Sequence, residues 1–437
     1  MPHDIPAFLE RVQPPLEVTE EGLGMLALDD YITVENPPAP QDDVMSTDPS
    51  ADQLENQKMT SDSSKRDHEI THNPYAQYGK PYDEIAVKKM KSGDNLLPIP
   101  SDAQRGGISS LAYSPNGRYI AAGFYGASIM IWDANTLAEK HELLGHSAPV
   151  SSLAFSPNSG DLVSGSSDSN IIIWDVETGQ RRMVLEGHGG FVNTVAYSPD
   201  GYTIASASAD FNVHLWDATT GLLRATTGTH DAMVMAIAFS PDSAYVASAG
   251  ADCRAVIWNA ANGAQSAVLD GHDGMIYSIT FSPDGRRIVT SSDDGTVRIW
   301  SAQSGAEFVT LREHTGSVWS AVFSPDGKQV LSVANDRTVK ICDSFSGELV
   351  NSIDGNGLVN ATTFSADGQL ISAGTEDLNV RVWSTITGKP FANFSGHTDL
   401  VTYLRFSPDN TRLISASNDC TVRLWQLRDV NVAVEGA

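Results

Sequence analysis

The residues best suited to chemistry are a histidine, a serine and an aspartate that recur together. In the first complete set, His146 is followed by Ser164 and Asp168, and Trp174 comes after them. A serine made nucleophilic by a histidine, which an aspartate orients, is the arrangement used for acyl transfer. The set therefore has the residue types of a hydrolase site, and its number and spacing decide whether that chemistry applies.

The set is repeated along the chain at an almost constant interval. The positions equivalent to Trp174 are 132, 174, 216, 258, 300, 342, 383 and 425, so the step is 42 residues, with one step of 41. A period of this length indicates a repeat architecture, and five regular copies favour a structural role over catalysis. We therefore predict no catalytic residue. The residues interpreted as structural are His146, Ser164, Asp168, Trp174, His188, Ser206, Asp210, Trp216, His230, Ser248, Asp252, Trp258, His272, Thr290, Asp294, Trp300, His397, Ser415, Asp419 and Trp425.

The fifth repeat shows the elements that must position these side chains. Ile276–Phe281 is rich in β-branched and aromatic residues and is predicted to be a strand that ends in a tight turn at 282–285. Proline presets φ in such a turn, and glycine takes the positive-φ position. Three further strands are predicted at Arg287–Ser291, Thr296–Trp300 and Ala306–Leu311. Short strands between turns indicate an all-β fold, and a four-stranded unit of about 40 residues is typical of a propeller blade.

These repeats resemble the WD-repeat, or β-transducin-like, propellers. The family pattern runs from Gly-His to Trp-Asp, which in one repeat are Gly145-His146 and Trp174-Asp175. The Ser-Pro-Asp-Gly turns make the sequence similar in style to repeat proteins of fungi and bacteria. The resemblance implies a disc of eight four-stranded blades, with seven as the alternative. It also implies a hydrogen-bond chain of Trp, Ser or Thr, His and Asp inside each blade, in which an orphaned member costs about 1–3 kcal/mol.

Residues 106–437 are predicted to form the propeller, and residues 1–105 differ from them in composition. The first 105 residues hold 12 of the 21 prolines, and residues 1–57 carry 13 acidic residues against one basic residue. Such a composition predicts a disordered acidic arm. The ring needs a closing strand, for which 84–99 and 430–434 are the candidates.

Three repeats depart from the full set. The first has Ala122 and Gly126 where serine and aspartate are expected, and the sixth has Cys342 in place of tryptophan. The seventh has Asn356 in place of histidine and is expected to contain one extra residue near Thr375. We interpret these departures as neutral drift in a fold with spare blades. A weaker blade or a closure seam is the alternative.

Composition limits the kinds of partner. The chain has 54 acidic and 28 basic residues and a net charge of −26. A field of that sign repels nucleic acid and anionic membranes, so we expect neither as a partner. Metal-ligand clusters and phosphate-binding loops are not apparent, and we expect no metal and no cofactor. Widely spaced cysteines and the lack of an apolar span or secretory signal lead us to expect a cytoplasmic or nuclear protein of undetermined oligomeric state.

Partner recognition is expected where the histidine loops and the turns before tryptophan share one face around the channel, as in relatives of the family. Large apolar residues on such a rim are typical of binding hot spots, with packing between blades as their alternative role. Few basic residues fall in these loops, which disfavours an arginine-lined phosphopeptide pocket. The candidate partner-binding residues are Tyr125 (beside Phe124 in the same turn), Phe191, Met233, Met275, Tyr277, Trp319, Leu358 and Leu400.

The function predicted from these features is a non-catalytic scaffold that binds peptide or protein partners on this rim, within a multiprotein complex. One alternative is a regulatory or sensor module that acts in trans on an enzyme or NTPase. Another is a substrate adaptor of the ubiquitin-ligase type. Nothing in the repeats themselves separates these roles, because the residues that build the fold are shared by all of them.

Overall fold

The computed structural model describes residues 106–227, 230–355 and 359–427, without the side chains of 359–361. In these ranges every regular element is a β-strand, and the strands form eight antiparallel sheets of consecutive strands. Each sheet is one blade, so the predicted all-β propeller of eight blades is confirmed. The predicted acidic arm at 1–105 and both candidate closing strands lie outside the described residues.

Each of the first four blades has four strands, and strands that follow each other in sequence are neighbours in the sheet. The first strand of each blade lies beside the first strands of the adjacent blades, and we call these the inner strands. The strands of blades one to four are β1 (Ile108–Tyr113), β2 (Tyr119–Phe124), β3 (Ser128–Asp133), β4 (Glu139–Leu144), β5 (Val150–Phe155), β6 (Asp161–Ser166), β7 (Ile171–Asp175), β8 (Arg181–Leu185), β9 (Val192–Tyr197), β10 (Thr203–Ser208), β11 (Val213–Asp217), β12 (Leu223–Thr227), β13 (Val234–Phe239), β14 (Tyr245–Gly250), β15 (Ala255–Asn259) and β16 (Gln265–Leu269).

Blades five to seven repeat this plan, and the eighth has three strands within the described residues. The second strands are buried almost throughout, whereas most residues of the fourth strands are exposed or half-buried. The strands of these blades are β17 (Ile276–Phe281), β18 (Arg287–Ser292), β19 (Val297–Ser301), β20 (Glu307–Leu311), β21 (Val318–Phe323), β22 (Gln329–Ala334), β23 (Thr338–Asp343), β24 (Leu349–Asp354), β25 (Val359–Phe364), β26 (Leu370–Thr375), β27 (Asn379–Ser384), β28 (Pro390–Ser395), β29 (Val401–Phe406), β30 (Arg412–Ser417) and β31 (Val422–Gln426).

The turn between the first two strands of blade five forms for the reasons that the sequence indicates. Gly285 has φ +69°, which suits glycine, and its N–H donates to the Ser282 carbonyl at 2.8 Å. The Ser282 hydroxyl donates to Asp284 Oδ1 at 2.6 Å and accepts the Arg287 N–H at 2.9 Å. The side chains thus close the turn as firmly as the backbone does, and the predicted turn is confirmed.

The ring closes where blade eight meets blade one. The Tyr403 hydroxyl donates to the Ser109 carbonyl at 2.6 Å, across almost the whole length of the sequence. Arg412 donates to the Ala134 carbonyl and, at 2.7 Å, to Asn135 Oδ1. The apolar residues that pack across this junction form one buried cluster, which includes Ile108, Leu111, Ile120, Phe124, Met130, Trp132, Ile414, Val422 and Leu424.

The seventh blade corrects one expectation from the sequence. The sequence suggests an extra residue near Thr375, yet Val359 and Trp383 are spaced as Val318 and Cys342 are in the sixth blade. The strands of the two blades therefore have the same lengths and turns. The repeat step of 41 residues comes instead from the loop between β24 and β25, which is one residue shorter than the equivalent loops of the other blades. The lengths of the strands are unaffected.

Candidate functional site

The histidine loops and the turns between second and third strands lie at one end of the blades, which we call the histidine face. In blade three the Ala209 N–H, in the turn, donates to the Phe191 carbonyl, in the loop, at 2.8 Å. Equivalent bonds join Ser167 to Pro149 and Ala251 to Met233. The other end, with the Ser-Pro-Asp-Gly type of turn, is called the opposite face.

The five complete sets have the same geometry. In blade two, His146 Nδ1 donates to Asp168 Oδ2 at 2.9 Å, and the Ser164 hydroxyl donates to His146 Nε2 at 2.7 Å. The Trp174 indole N–H donates to the same hydroxyl oxygen at 2.8 Å. The corresponding distances in blades three, four, five and eight are 2.7–2.9 Å. The predicted chain of Trp, Ser or Thr, His and Asp is therefore present in the structure.

This geometry does not present a nucleophile to solvent. Ser164, Ser206 and Ser248 are completely buried, as are Thr290 and Ser415. Each hydroxyl oxygen already accepts an indole N–H and directs its own hydrogen to a histidine. A substrate carbonyl has no approach to such an oxygen, because tryptophan and histidine occupy its two sides. The sets satisfy buried polar atoms that would otherwise weaken the blade.

The aspartates also fix the loops of the histidine face. Asp168 Oδ2 accepts the Ser147 N–H at 2.9 Å, and Asp168 Oδ1 accepts the Asn170 N–H at 2.9 Å. Burial alone would raise the pKa of Asp168, but these N–H groups and His146 outweigh burial and lower it. The glycine before the histidine fits tightly, since a Cβ on Gly145 would lie 2.9 Å from Trp174. Loop and turn are thus held as one unit.

The incomplete sets keep some of these bonds. In blade six, His314 Nδ1 donates to Asp336 at 2.9 Å and Ser332 donates to His314 Nε2 at 2.8 Å, while Cys342 is buried in an apolar cluster. In blade seven, Asp377 stands at the aspartate position and accepts hydrogen bonds from Thr375 and Arg381. In blade seven the polar neighbours of Asp377 replace the missing histidine as its partners, whereas in blade six an apolar cluster surrounds the residue that replaces tryptophan.

Blade three contains a second buried histidine. The His214 ring stacks on the His188 ring with centroids 3.9 Å apart and planes 7° apart. Burial first, and the neighbouring His188 second, lower the pKa of His214 from 6.5 to about 4. His214 Nδ1 is buried without a hydrogen-bond partner. The pair therefore disfavours protonation of the folded protein at this position.

The structure places the candidate partner-binding residues on the histidine face, with different exposure. Phe191 is 46% exposed, whereas Tyr125, Met233, Met275, Tyr277, Trp319 and Leu400 are half-buried. Leu358 lies outside the described residues. Phe124, expected in the turn beside Tyr125, instead ends β2 and is completely buried, because it pairs with Ile108 at the junction of blades one and eight. That expectation was wrong.

Two of these residues form an aromatic pair between blades five and six. The Tyr277 and Trp319 rings have centroids 4.7 Å apart and planes tilted by 38°. The Tyr277 hydroxyl donates to Asp293 Oδ1 at 3.2 Å, and the Trp319 indole N–H donates to Asn335 Oδ1 at 2.7 Å. The adjacent turns thus satisfy the polar atoms of both side chains, and both residues remain partly exposed to solvent.

Sequence reasoning overlooked Phe211. It is 44% exposed and lies in the same turn as Asp210, next to the loop of Phe191. Its φ is +72°, a conformation that costs L-residues about 1–2 kcal/mol. The equivalent position in blade five is a glycine, which adopts this conformation without strain. A phenylalanine at such a position is the sequence signal that could have identified Phe211. The equivalent residues of the other blades share the positive φ: Ala127, Ser169, Cys253, Gly295, Arg337, Leu378 and Cys420.

The histidine face is acidic near blades four and five. Asp231, Asp273 and Asp293 are exposed there. After burial, the charges of Asp252, Asp294, Asp273 and Asp293 are the causes that raise the pKa of the Cys253 thiol, which shows how closely they gather. Arg254 faces Asp231 at 3.4 Å in an exposed ion pair, which offsets part of this charge.

Among residues 106–227, 230–355 and 359–427, no group of three or more His, Cys, Asp or Glu side chains has the arrangement of a metal site. The same part of the chain contains no helix long and apolar enough to cross a membrane. The surface of the histidine face therefore remains the best-defined candidate site.

Seven four-stranded sheets and an eighth with three described strands, with a Trp–Ser–His–Asp chain inside the complete ones, define an eight-bladed β-propeller of the kind built from WD repeats. Comparison with known families agrees: eight segments match WD40, "WD domain, G-beta repeat". The chain belongs to the WD-repeat family. The matched residues are 100–133, 138–175, 179–217, 221–259, 263–301, 305–343, 347–384 and 388–426.

Similar proteins match over short segments. Periodic tryptophan protein 2 of Arabidopsis thaliana is 46% identical over 70 residues, which are 16% of this chain and 8% of that protein. Guanine nucleotide-binding protein subunit beta-2 of Caenorhabditis elegans is 40% identical over 67 residues, which are 15% of this chain and 18% of that protein. The matches thus span less than a fifth of these relatives, and they show shared repeats.

A solved structure covers much more of the fold. The crystal structure of the computationally designed Ika8 protein matches with a TM-score of 0.68 and 28% identity. The match covers 76% of this chain and 99% of that chain. The propeller is therefore similar to a complete known structure.

The role of the bridging hydroxyl can be measured by comparing two blades. Ser206→Ala leaves both the Trp216 indole N–H and His188 Nε2 without a partner, whereas Ser332→Ala in blade six leaves only His314 Nε2 without one. We expect Ser206→Ala to lower the free energy of unfolding by about 1–3 kcal/mol and Ser332→Ala to lower it less. Chemical denaturation of both variants measures this, and equal losses would contradict the bridging role.

The histidine stack predicts acid sensitivity. Because folded His214, with a pKa of about 4, takes up a proton less readily than the unfolded chain, its contribution to stability is complete above pH 6.5 and is lost as the pH falls toward 4. His214→Val copies Val256, the equivalent residue of blade four. We expect the melting temperature of this variant to fall less between pH 7 and pH 5 than that of the unmodified protein. Above pH 7, where His214 is neutral in both states, the two melting profiles should run parallel. Profiles that stay parallel down to pH 5 would exclude His214 as a cause.

Proposed function

We propose that the protein is a non-catalytic scaffold that binds peptide or protein partners on the histidine face. The observation that carries this proposal is the exposure of Phe191 and Phe211 on a loop and a turn that the bond from Ala209 to Phe191 holds together. Exposed aromatic rings on rigid backbone are typical of binding hot spots, because little conformational entropy is lost when they are covered.

Neighbouring residues extend this surface toward blade six. Met233 and Met275 lie in the corresponding loops of blades four and five, and methionine adapts to partners of different shape. The Tyr277–Trp319 pair follows on the same side of the channel. Together they give an apolar track along the loops and inner strands of blades three to six.

Charge suggests the chemistry of the partner. Exposed Asp231, Asp273 and Asp293 border the apolar track, and the chain as a whole has a net charge of −26. Such a field attracts basic segments and repels acidic ones. We infer that a partner peptide carries basic residues next to an aromatic or aliphatic anchor.

The comparisons support a scaffold in general terms. The C. elegans relative is named as a subunit, and so works within an assembly. The serine–histidine–aspartate sets have no substrate access, which supports a role without catalysis. A location in the cytoplasm or nucleus stays a prediction.

The test uses two double variants of the same blade. Phe191→Ala with Phe211→Ala removes both rings from the histidine face, whereas Tyr202→Ala with Leu222→Ala removes side chains that are 64% and 68% exposed near the opposite face. Peptides selected from a random library against the full-length protein are titrated against each. We expect the first variant to raise Kd at least tenfold and the second to leave it unchanged, since a hot-spot residue contributes about 2 kcal/mol.

Melting temperatures of both double variants serve as the folding control. Binding at the histidine face is refuted if the selected peptides lose affinity for the second variant and keep it for the first. Competition with a basic and an acidic version of the same peptide tests the charge preference separately, and equal affinities would remove that part of the proposal.

A further inference from the structure

At the opposite face, the residue directly after each third strand lies beside the preceding blade. In three of the gaps between blades, the carbonyl of this residue accepts a hydrogen bond from an arginine of the preceding blade. The pairs are Arg412 with Ala134, Arg182 with Ala218 at 2.6 Å, and Arg287 with Ser344 at 2.8 Å. In a fourth gap the Asn351 amide donates to the Thr385 carbonyl at 3.1 Å. The carbonyl is thus a recurrent acceptor for a side chain from the neighbouring blade.

Ala302, which follows the third strand of blade five, is the exception. It is half-buried, whereas the residue at this position is buried in the other seven blades. The two positions that supply arginine in other gaps are occupied in blade four by Tyr245 and Ser266. Among the described residues, no side chain donates to the Ala302 carbonyl. The seven buried equivalents are Ala134, Val176, Ala218, Ala260, Ser344, Thr385 and Leu427.

A cavity of about 360 Å³ borders Ala302 between blades four and five. Tyr245 and Ser266, the two residues that stand where arginine could be, form part of its wall. A cavity of about 590 Å³ also lies between blades two and three, but there Arg182 already donates to the buried Ala218. Between blades four and five, the cavity borders a carbonyl that no described side chain uses.

The next gap of the ring shows how a guanidinium is held at this place. Arg287 donates to the Ser344 carbonyl at 2.8 Å and to the Gly327 carbonyl at 2.9 Å. The equivalent carbonyls between blades four and five belong to Ala302 and Gly285, and both residues border the cavity. No side chain of the described residues donates to either of them. The two acceptors of a guanidinium are therefore present without the arginine.

The cavity wall also contains an aromatic ring and charged groups. Tyr245 is 38% exposed, and an arginine can stack on such a ring, as Arg287 does on Phe345 with 4.0 Å between the guanidinium carbon and the ring centroid. Asp242 and Arg286 are the charged residues of the wall, and their charges offset each other. The carbonyl acceptors and the ring therefore determine which ligand fits.

We propose that the cavity between blades four and five binds the guanidinium of an arginine in a peptide or protein partner. Arginine presents several N–H donors in fixed directions on a planar group, which suits two carbonyl acceptors beside an aromatic ring, whereas lysine presents a compact point charge. A carboxylate or phosphate would meet acceptors where it needs donors. The cavity lies at the opposite face, so this site is separate from the histidine face.

Two variants would fill the cavity with an arginine of the chain itself. Tyr245→Arg copies Arg287 and Ser266→Arg copies Arg182, each at its equivalent position in blade four. Because the added arginine can use the free carbonyls, we expect the melting temperature to stay unchanged or to rise. We expect both variants to bind an arginine peptide more weakly by about tenfold or more. Gln180→Arg adds the same charge at an exposed position of blade two and should leave binding unchanged.

Binding is measured by saturation-transfer NMR titrations with the full-length protein at physiological salt. The probe is a capped tripeptide with one arginine between two glycines, and the matched probe has lysine in its place. Both peptides carry one positive charge, so general attraction to the acidic protein acts on them equally. We expect the lysine peptide to bind about tenfold more weakly, because an ammonium cannot reproduce the planar contacts.

Equal binding of the arginine and lysine peptides would overturn the proposal, as would undiminished binding to both filled variants. The two variants place arginine on different strands, so a folding defect in one leaves the other as the test. The Phe191→Ala, Phe211→Ala variant should bind the arginine peptide as the unmodified protein does, because the two sites share no residue. A loss of binding in that variant would assign the peptide to the histidine face instead.

Discussion

One hydroxyl group in each complete blade is the contact on which the rest depends. Ser164 and its equivalents accept an indole N–H and donate to a histidine, so each joins the third strand to the loop that enters the blade. The histidine then positions an aspartate, and the aspartate binds two backbone N–H groups of the histidine face. A polar chain buried in an apolar sheet is stable only when every member is satisfied. That requirement explains why four residue types recur together.

The same requirement explains how much could be predicted from the sequence. Blade number, strand order and the roles of the repeated residues follow from spacing, because each repeat must solve the same packing problem. The strand boundaries of blade five were correct to within one residue, as with Val297 in place of Thr296. The candidate rim residues with described positions were placed on the expected face, but their exposure was not predictable, since neighbouring blades decide it. Phe124 was expected in an exposed turn, but it is buried at the junction of blades one and eight.

Phe211 shows what spacing cannot reveal. It stands in a turn whose backbone conformation is uncommon for an aromatic residue. It lies outside the Trp–Ser–His–Asp chain. Function in this fold is carried by residues that the repeat does not dictate, and such residues are visible mainly as exceptions in three dimensions.

The recurrent positive φ of the turn after each aspartate has a consequence for how such a protein can change. Seven of the eight blades place a residue other than glycine there, and these residues include a phenylalanine, an arginine and a leucine. The surrounding hydrogen bonds hold this conformation in every blade, so side chains of very different size occupy the position. Mutation at these positions can therefore alter the pattern displayed to a partner while the blade stays intact. The blades can therefore stay unchanged while the side chains at these turns are replaced, and binding specificity can change in one blade independently of the others.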